Sequence, residues 1–336
     1  MTQPATSLPK LKDVFQDQFL VGAAVNPRTL KEQRTLLSEH FNSITAENEM
    51  KFERLQPEEG RYTFEHADRM MDFAEEHGIG VRGHTLVWHN QTPAWVFEDG
   101  AGGQISREGL LARMKTHIDT VVGRYRGNIY AWDVVNEAVA DSGPEVLRES
   151  PWLSIAGEDF IARAFEYAHA ADPGALLFYN DYNEAVPEKR EKIYTLVKSL
   201  LDQGVPIHGI GLQAHWSIAH PAEDDIRRAI ERYASLGLKL HITELDVSVF
   251  AHDDKRTDLQ SPSEEMMTRQ AERYETFFRI FRDYSESITS VTFWGAADDY
   301  TWLDNFPVRG RKNWPFLFDA GHQPKASFWK VVEDKA

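Results

Sequence analysis

Eight times along this chain, a short apolar or β-branched run gives way to a segment with helical spacing, and that alternation limits the folds open to it. The runs begin near Phe19 (FLVGAAV), Ser43 (SITAENE), Val81 (VRGHTLVW), Ile129 (IYAWDVVNE), Ala175 (ALLFYND), Gly209 (GIGLQAHW), Lys239 (KLHITELDV) and Ser290 (SVTFWGAAD). Behind the fifth, Ile193, Leu196, Val197, Leu200 and Leu201 recur at i, i+3, i+4, i+7 and i+8, one stripe of a helix. Behind the third, Leu111, Met114, Ile118, Val121 and Tyr125 form a similar stripe. Gly78, Gly204 and Gly237 each stand where a helix should stop before the next strand. Near-continuous apolar strands alternating with helices predict a parallel sheet covered on its faces. A doubly wound open sheet competes, but the Gly-x-Gly-x-x-Gly turn of its nucleotide-binding form is missing after the first strand. The expected fold is α/β, a closed (β/α)8 TIM barrel that leaves no sheet edge. No Gly-, Ser- or Pro-rich linker divides the chain, so residues 1–336 read as one catalytic domain without an attached carbohydrate-binding module.

Composition excludes several functions. With no cysteine there is no disulfide, thiolate metal site or cysteine nucleophile, which suits a cytoplasmic protein. Fifty-three acidic against 37 basic side chains, a net charge of −16, disfavour nucleic acid or an anionic membrane as partner. The first 25 residues lack the apolar core of a signal peptide, being interrupted by Pro4, Pro9, Lys10, Lys12, Asp13 and Asp17. A cytoplasmic location is therefore the expectation. Oligomeric state is not legible.

A barrel of this kind carries its chemistry at the C-terminal ends of its strands. Those ends read AENEMK, HTLVWHNQ, WDVVNE, YNDYNE, LQAHW, ITELD and FWGAADDYTW. Helix caps and ion pairs would explain some of these polar groups, but not the large aromatics beside them. Glu137, ending the fourth strand, and Glu244, in the seventh, sit on opposite sides of an eight-strand ring. Two facing carboxyls are what glycoside cleavage needs, one to protonate the leaving oxygen and one to attack the anomeric carbon. Asp246 shares the strand face of Glu244 by the two-residue period. His215, on the neighbouring strand, is placed to bridge them and keep Glu244 ionised. Asn136 is a candidate hydrogen-bond donor to a substrate hydroxyl.

With these residues in view, the chain resembles glycoside hydrolase family 10, the endo-1,4-β-xylanases, in a signal-less intracellular form. WDVVNEAV (Trp132 to Val139) and HITELDV (His241 to Val247) look like that family's acid/base and nucleophile motifs. TAENEMK, RGHTLVWHNQTPAW, LFYNDYN, GIGLQAHW and TFWGAADDYTW follow in the family's order and cover nearly the whole chain. The resemblance implies Glu137 as general acid/base and Glu244 as nucleophile, with their carboxyls about 5–5.5 Å apart and retention at the anomeric carbon. It implies that Glu47, Asn48 and Lys51 bind the more distant glycone sugar. His84, Trp88 and Gln91 would line the sugar at the cleavage point, and Trp294 and Trp302 would stack on or close over the glycone. Tyr182 becomes an aglycone platform, and Gln213 contacts the nucleophile region. No cofactor is implied.

Duller readings stand beside these. Trp88 and Trp132 could be barrel packing, the preferred reading for Trp132. His84, His215 and Asp246 could suggest a metal, but each is better explained as a hydrogen-bond partner, and no metal is expected. Asn90-Gln91-Thr92 matches a glycosylation sequon, which has no meaning without secretion. Glu223-Asp224-Asp225 reads as a helix N-terminus. The charged segment Ala251 to Ser261 reads as an exposed loop near the cleft mouth.

The expected partner is a xylo-oligosaccharide, imported if the enzyme is cytoplasmic, with a glucuronic acid side group as one possibility. Arg309, with Arg311 and Lys312 in PVRGRKNWP, is the candidate cation for such a carboxylate; the competing reading is solvated loop charge paired with nearby acids. A retaining β-glucanase and a non-catalytic sugar-binding barrel remain alternatives, the second disfavoured because a pure binder needs neither glutamate.

Overall fold

The computed structural model describes residues 8–333; expectations for residues 1–7, Pro4 among them, and for the last three residues lie outside the described residues. Eight parallel strands close into a barrel: β1 (Leu20–Val25), β2 (Ser43–Ala46), β3 (Gly80–Val87), β4 (Ile129–Asn136), β5 (Leu176–Asp181), β6 (Gly209–Leu212, resuming as His215–Ser217), β7 (Lys239–Ser248) and β8 (Ile288–Phe293). Each strand pairs with its neighbours in chain order, and β1 closes on β8 through Gly22↔Thr292. Among the described residues, no helix is long and apolar enough to cross a membrane.

The helices fall where the apolar stripes put them. On the helix Pro187–Asp202, Ile193, Leu196, Val197 and Leu200 are buried and Leu201 is half-buried. Gly78 takes a left-handed φ of 64° and ends the helix Glu65–His77, its N–H bonding Ala74 and Glu75 carbonyls. Glu223, Asp224 and Asp225 form the first turn of the helix Glu223–Ala234, the end that the helix dipole makes favourable to anions.

The sixth strand departs from expectation. GIGLQAHW reads as one run, but the strand breaks at Gln213 and Ala214, where Ala214 has φ 58°. It resumes at His215, which pairs with Asp246 of β7.

Side chains pack both faces of the barrel wall. Trp132 is fully buried, and a Cβ on Gly83 would lie 2.2 Å from its ring, so that position must stay glycine for the indole to fit. Inside the barrel a buried ion pair stands out. Arg82 forks onto Asp133, both almost fully buried, and its Nε donates to His241 Nδ1 at 3.1 Å. Removing one partner of such a pair costs about 3–5 kcal/mol because the other charge is stranded. The ion pair also reaches the barrel mouth, since Asp133 accepts a 2.8 Å bond from His84 Nδ1.

Candidate active site

At the C-terminal ends of the strands lies a cleft of about 840 Å³, lined by residues from Glu47 after β2 round to Arg311 after β8. Glu244 sits in its floor on β7, 5% exposed. Its Oε1 accepts from Asn180 Nδ2 at 2.9 Å, and its Oε2 from His215 Nε2 at 3.0 Å. His215 Nδ1 meets Asp246 Oδ2 at 3.0 Å, and the same oxygen accepts from Trp302 Nε1 at 2.9 Å. An imidazole held between two carboxylates is best satisfied as the cation, donating from both nitrogens. Burial opposes that charge, but Asp246 and Glu244 outweigh it and raise the His215 pKa well above its ordinary value. Burial would likewise raise Glu244. The His215 hydrogen bond and the nearby positive charge win, holding it below the usual carboxylate range. Glu244 is thereby kept anionic.

Glu137 follows directly on β4 and faces a different set of partners. Gln213 Nε2 donates to its Oε1 at 2.9 Å and Trp88 Nε1 to its Oε2 at 2.9 Å. Gln213, which the resemblance assigned to the nucleophile region, therefore sits on Glu137 instead. The break at Ala214 separates Gln213 from His215, and the two serve different glutamates. Asn136 accepts from Asn180 at 2.9 Å and from Gln213 at 3.3 Å, both through Oδ1, so neither bond uses its amide hydrogens. Asn180 thus ties β4 to β7. A Cβ at Gly211 would come 2.2 Å from its Oδ1, so glycine there makes room for this amide.

A second cluster lines one flank. Lys51 Nζ donates to Asn48 Oδ1 at 3.1 Å and Gln91 Oε1 at 3.0 Å, 4.9 Å from the Trp88 ring centre. Burial lowers the Lys51 pKa against the pull of Glu244, Glu47 and Glu137. Glu47 accepts from Asn26 at 2.9 Å and Tyr300 at 3.3 Å, and burial raises its pKa. Amides, an ammonium and a carboxyl here present both donors and acceptors, the complement of a sugar's hydroxyls.

Aromatic surfaces complete the walls. Trp302 stacks on Phe306 at 4.8 Å, and Trp294 lies 5.4 Å edge-on to His84. Tyr182 lines the cleft with its hydroxyl bonded to Asp141 and Arg148 and Lys189 Nζ 4.4 Å from its ring. Arg309 is exposed and not part of the lining. Arg311 is, buried over Phe250 and bonded to the Asp254 carbonyl. Of the loop after β7, Ala251 and His252 border the cleft. Among the described residues, no group of three or more His, Asp and Glu side chains is disposed to hold a metal ion.

Sequence reasoning passes over Asn180, Asp133, Tyr300, Phe306 and Arg148. The first two do leave a signal, a polar side chain inside an otherwise apolar strand; the loop residues leave none.

Residues 10–334 match the model of glycosyl hydrolase family 10. The chain is 64% identical over 327 residues to an endo-1,4-beta-xylanase of Geobacillus stearothermophilus, covering 97% of this chain and 99% of that one. It is 61% identical over 328 residues to endo-1,4-beta-xylanase B of Paenibacillus barcinonensis, covering 98% and 99%. The crystal structure of xylanase XynB from that organism, complexed with a conduramine derivative, superposes with a TM-score of 0.96 over 98% of this chain and 99% of that chain. A mutant structure in complex with xylotriose, 50% identical, superposes at 0.95 over 97% of this chain and all of the other.

Proposed function

This chain belongs to glycosyl hydrolase family 10 and is an endo-1,4-β-xylanase, and from that premise we propose that it cleaves β-1,4-xylosidic bonds by double displacement, Glu244 as nucleophile and Glu137 as acid/base. The observation that carries the assignment is the asymmetry of the two glutamates. Glu244 is buried against a His215 cation that keeps it ionised, whereas the Glu137 carboxyl accepts from the neutral donors Gln213 and Trp88. In the first step a Glu244 oxygen bonds the anomeric carbon while Glu137 gives its proton to the departing oxygen. In the second, Glu137 takes a proton from water, and that water displaces Glu244 from the same carbon. Two inversions return the original configuration.

Glu47, Asn48, Lys51, His84 and Gln91 bind glycone hydroxyls in this account, and Asn136 donates to the hydroxyl next to the reacting carbon. Trp302, fixed by Asp246 and Phe306, occupies the space a C6 hydroxymethyl would need, which favours xylose over glucose. Short xylo-oligosaccharides are the proposed preferred substrates; that such chains fit a cleft of this kind is supported by the xylotriose complex of the relative. For oligosaccharides bearing a uronic acid, the arginine of the PVRGRKNWP loop that lines the cleft is Arg311 rather than Arg309.

Initial rates on xylotriose, xylotetraose, polymeric xylan and matched cello-oligosaccharides test this. The expected order is xylo-oligosaccharide above polymer per accessible bond, with cello-oligosaccharides at least ~100-fold poorer, the discrimination a steric pocket can supply. Equal rates on the cello series would favour a general β-glucanase.

A further inference from the structure

The loop leaving β4 turns back on itself at once. Val139 and Leu147 form an antiparallel bridge, Ala140 N–H donates to the Val146 carbonyl at 2.9 Å, and Arg148 N–H to the Ala138 carbonyl at 2.8 Å. The return lays the Arg148 side chain against the strand end the loop has just left. Its Nε donates to the Glu137 carbonyl at 2.9 Å. Its Nη2 donates to the Tyr182 hydroxyl at 2.8 Å and to Asp141 Oδ2 at 2.9 Å. Arg148, Tyr182 and Glu137 all line the cleft.

Glu137 has φ 57°, a left-handed backbone that a glutamate rarely adopts. Such a conformation is unfavourable and persists where surrounding contacts over-determine it. Here the Glu137 N–H is held by the Asn180 carbonyl at 2.9 Å and its carbonyl by Arg148. Further along the same segment, Val139 N–H donates to the Tyr179 hydroxyl at 3.0 Å. Asn180 and Tyr179 belong to the barrel wall. Arg148 is different, because the guanidinium that fixes the Glu137 carbonyl also holds the hydroxyl of Tyr182, the cleft aromatic that the family resemblance assigns to the leaving-group sugar. A guanidinium is a rigid planar fork, so a displacement at one end is carried to the other.

We propose that Arg148 is a positioning residue for the general acid, coupling the seating of the leaving-group sugar on Tyr182 to the backbone that aims Glu137. The proposal rests on the acid/base assignment of Glu137 made above. Arg148 exchanges no proton itself. The proton passes from Glu137 to the glycosidic oxygen as the bond to the anomeric carbon breaks and the bond to Glu244 forms. Arg148 sets how well the proton-bearing oxygen is aligned for that transfer.

The test compares xylotetraose, whose sugar leaving group needs a proton, with 2,4-dinitrophenyl β-xylobioside, whose phenolate leaves without one. In kcat/KM both report the glycosylation step. Arg148→Ala is expected to lose ~10- to 100-fold on xylotetraose, mainly in kcat, and less than about threefold on the aryl glycoside, part of the ~10²–10⁴ that acid catalysis supplies. Arg148→Lys keeps a cation near Asp141 but cannot hold the Glu137 carbonyl and the Tyr182 hydroxyl together, so it shows the same split even if the alanine variant fails to fold. Tyr182→Phe keeps the ring, cuts the link, and shows a smaller split of the same sense. Equal losses on both substrates would reduce Arg148 to a structural brace, and a rise in KM alone would make it a sugar-binding group; either overturns the proposal. Glu137→Ala run alongside separates the two layers: no split in that variant would fault the acid assignment itself, not the coupling.

Discussion

Glu244→Ala is expected to hydrolyse xylo-oligosaccharides at least ~10⁴-fold more slowly than the wild type while still binding them, the scale of loss seen when a covalent nucleophile is removed from a site that acts as a unit. The site around Glu244 leaves it little other purpose. Burying a carboxylate is costly unless charge and hydrogen bonds compensate, and here His215 and Asn180 bond its two oxygens separately. The cost of an ionised group so deep in the cleft is met by a dedicated cation, itself anchored by Asp246. Isothermal titration of the variant with xylotriose, beside steady-state rates, checks both halves. Loss of binding together with rate would point to a collapsed site rather than a missing nucleophile. The electrostatic part of the argument has its own signature. His215→Asn removes the cation that lowers the Glu244 pKa, so Glu244 ionises at higher pH and the acid limb of kcat/KM must move upward.

Glu137→Ala is the second large effect, and its size depends on the substrate. On xylo-oligosaccharides the expected loss in kcat/KM is ~10²–10⁴-fold, the range for a positioned general acid. On a dinitrophenyl xylobioside the same variant should cleave the first bond at close to the wild-type kcat/KM and then stall, because no base activates the water for the second step. A burst of dinitrophenol followed by slow turnover is the readout. Comparable losses with both leaving groups would remove Glu137 from the role of acid. The variant also frees Gln213 and Trp88 from their shared partner.

Much of this site is legible in the amino-acid sequence because barrel strands turn a linear pattern into a ring. Polar residues concentrated at one end of successive apolar runs mark the mouth, and the period of two puts Glu244 and Asp246 on one face. What escapes such a reading are contacts set by the register between distant strands. Asn180 joins Asn136, 44 residues away, to Glu244, 64 residues away, and only the pairing of β4 with β5 and the closure of the barrel bring those groups together. The resemblance sends Gln213 to the nucleophile region, and nothing in an alanine signals the left-handed φ that breaks β6 where Gln213 meets Glu137. Arg309 and Arg311 illustrate the weakness of loops. Two residues apart in a segment without periodicity, one is exposed and the other lies buried in the cleft wall. Arg148 is invisible for a related reason, since a turn of unpredictable course returns it to the strand end it came from.

The central claim is that two glutamates with unequal surroundings act in sequence on the same carbon, and proton NMR of the first products tests it most directly. Hydrolysis of xylotetraose, followed from the first minutes, should show the β-anomer at the newly formed reducing end, with the α-anomer growing only as mutarotation proceeds. An α-anomer appearing first would mean a single inverting displacement by water, and would contradict the assignment of Glu244 as a nucleophile that bonds the sugar.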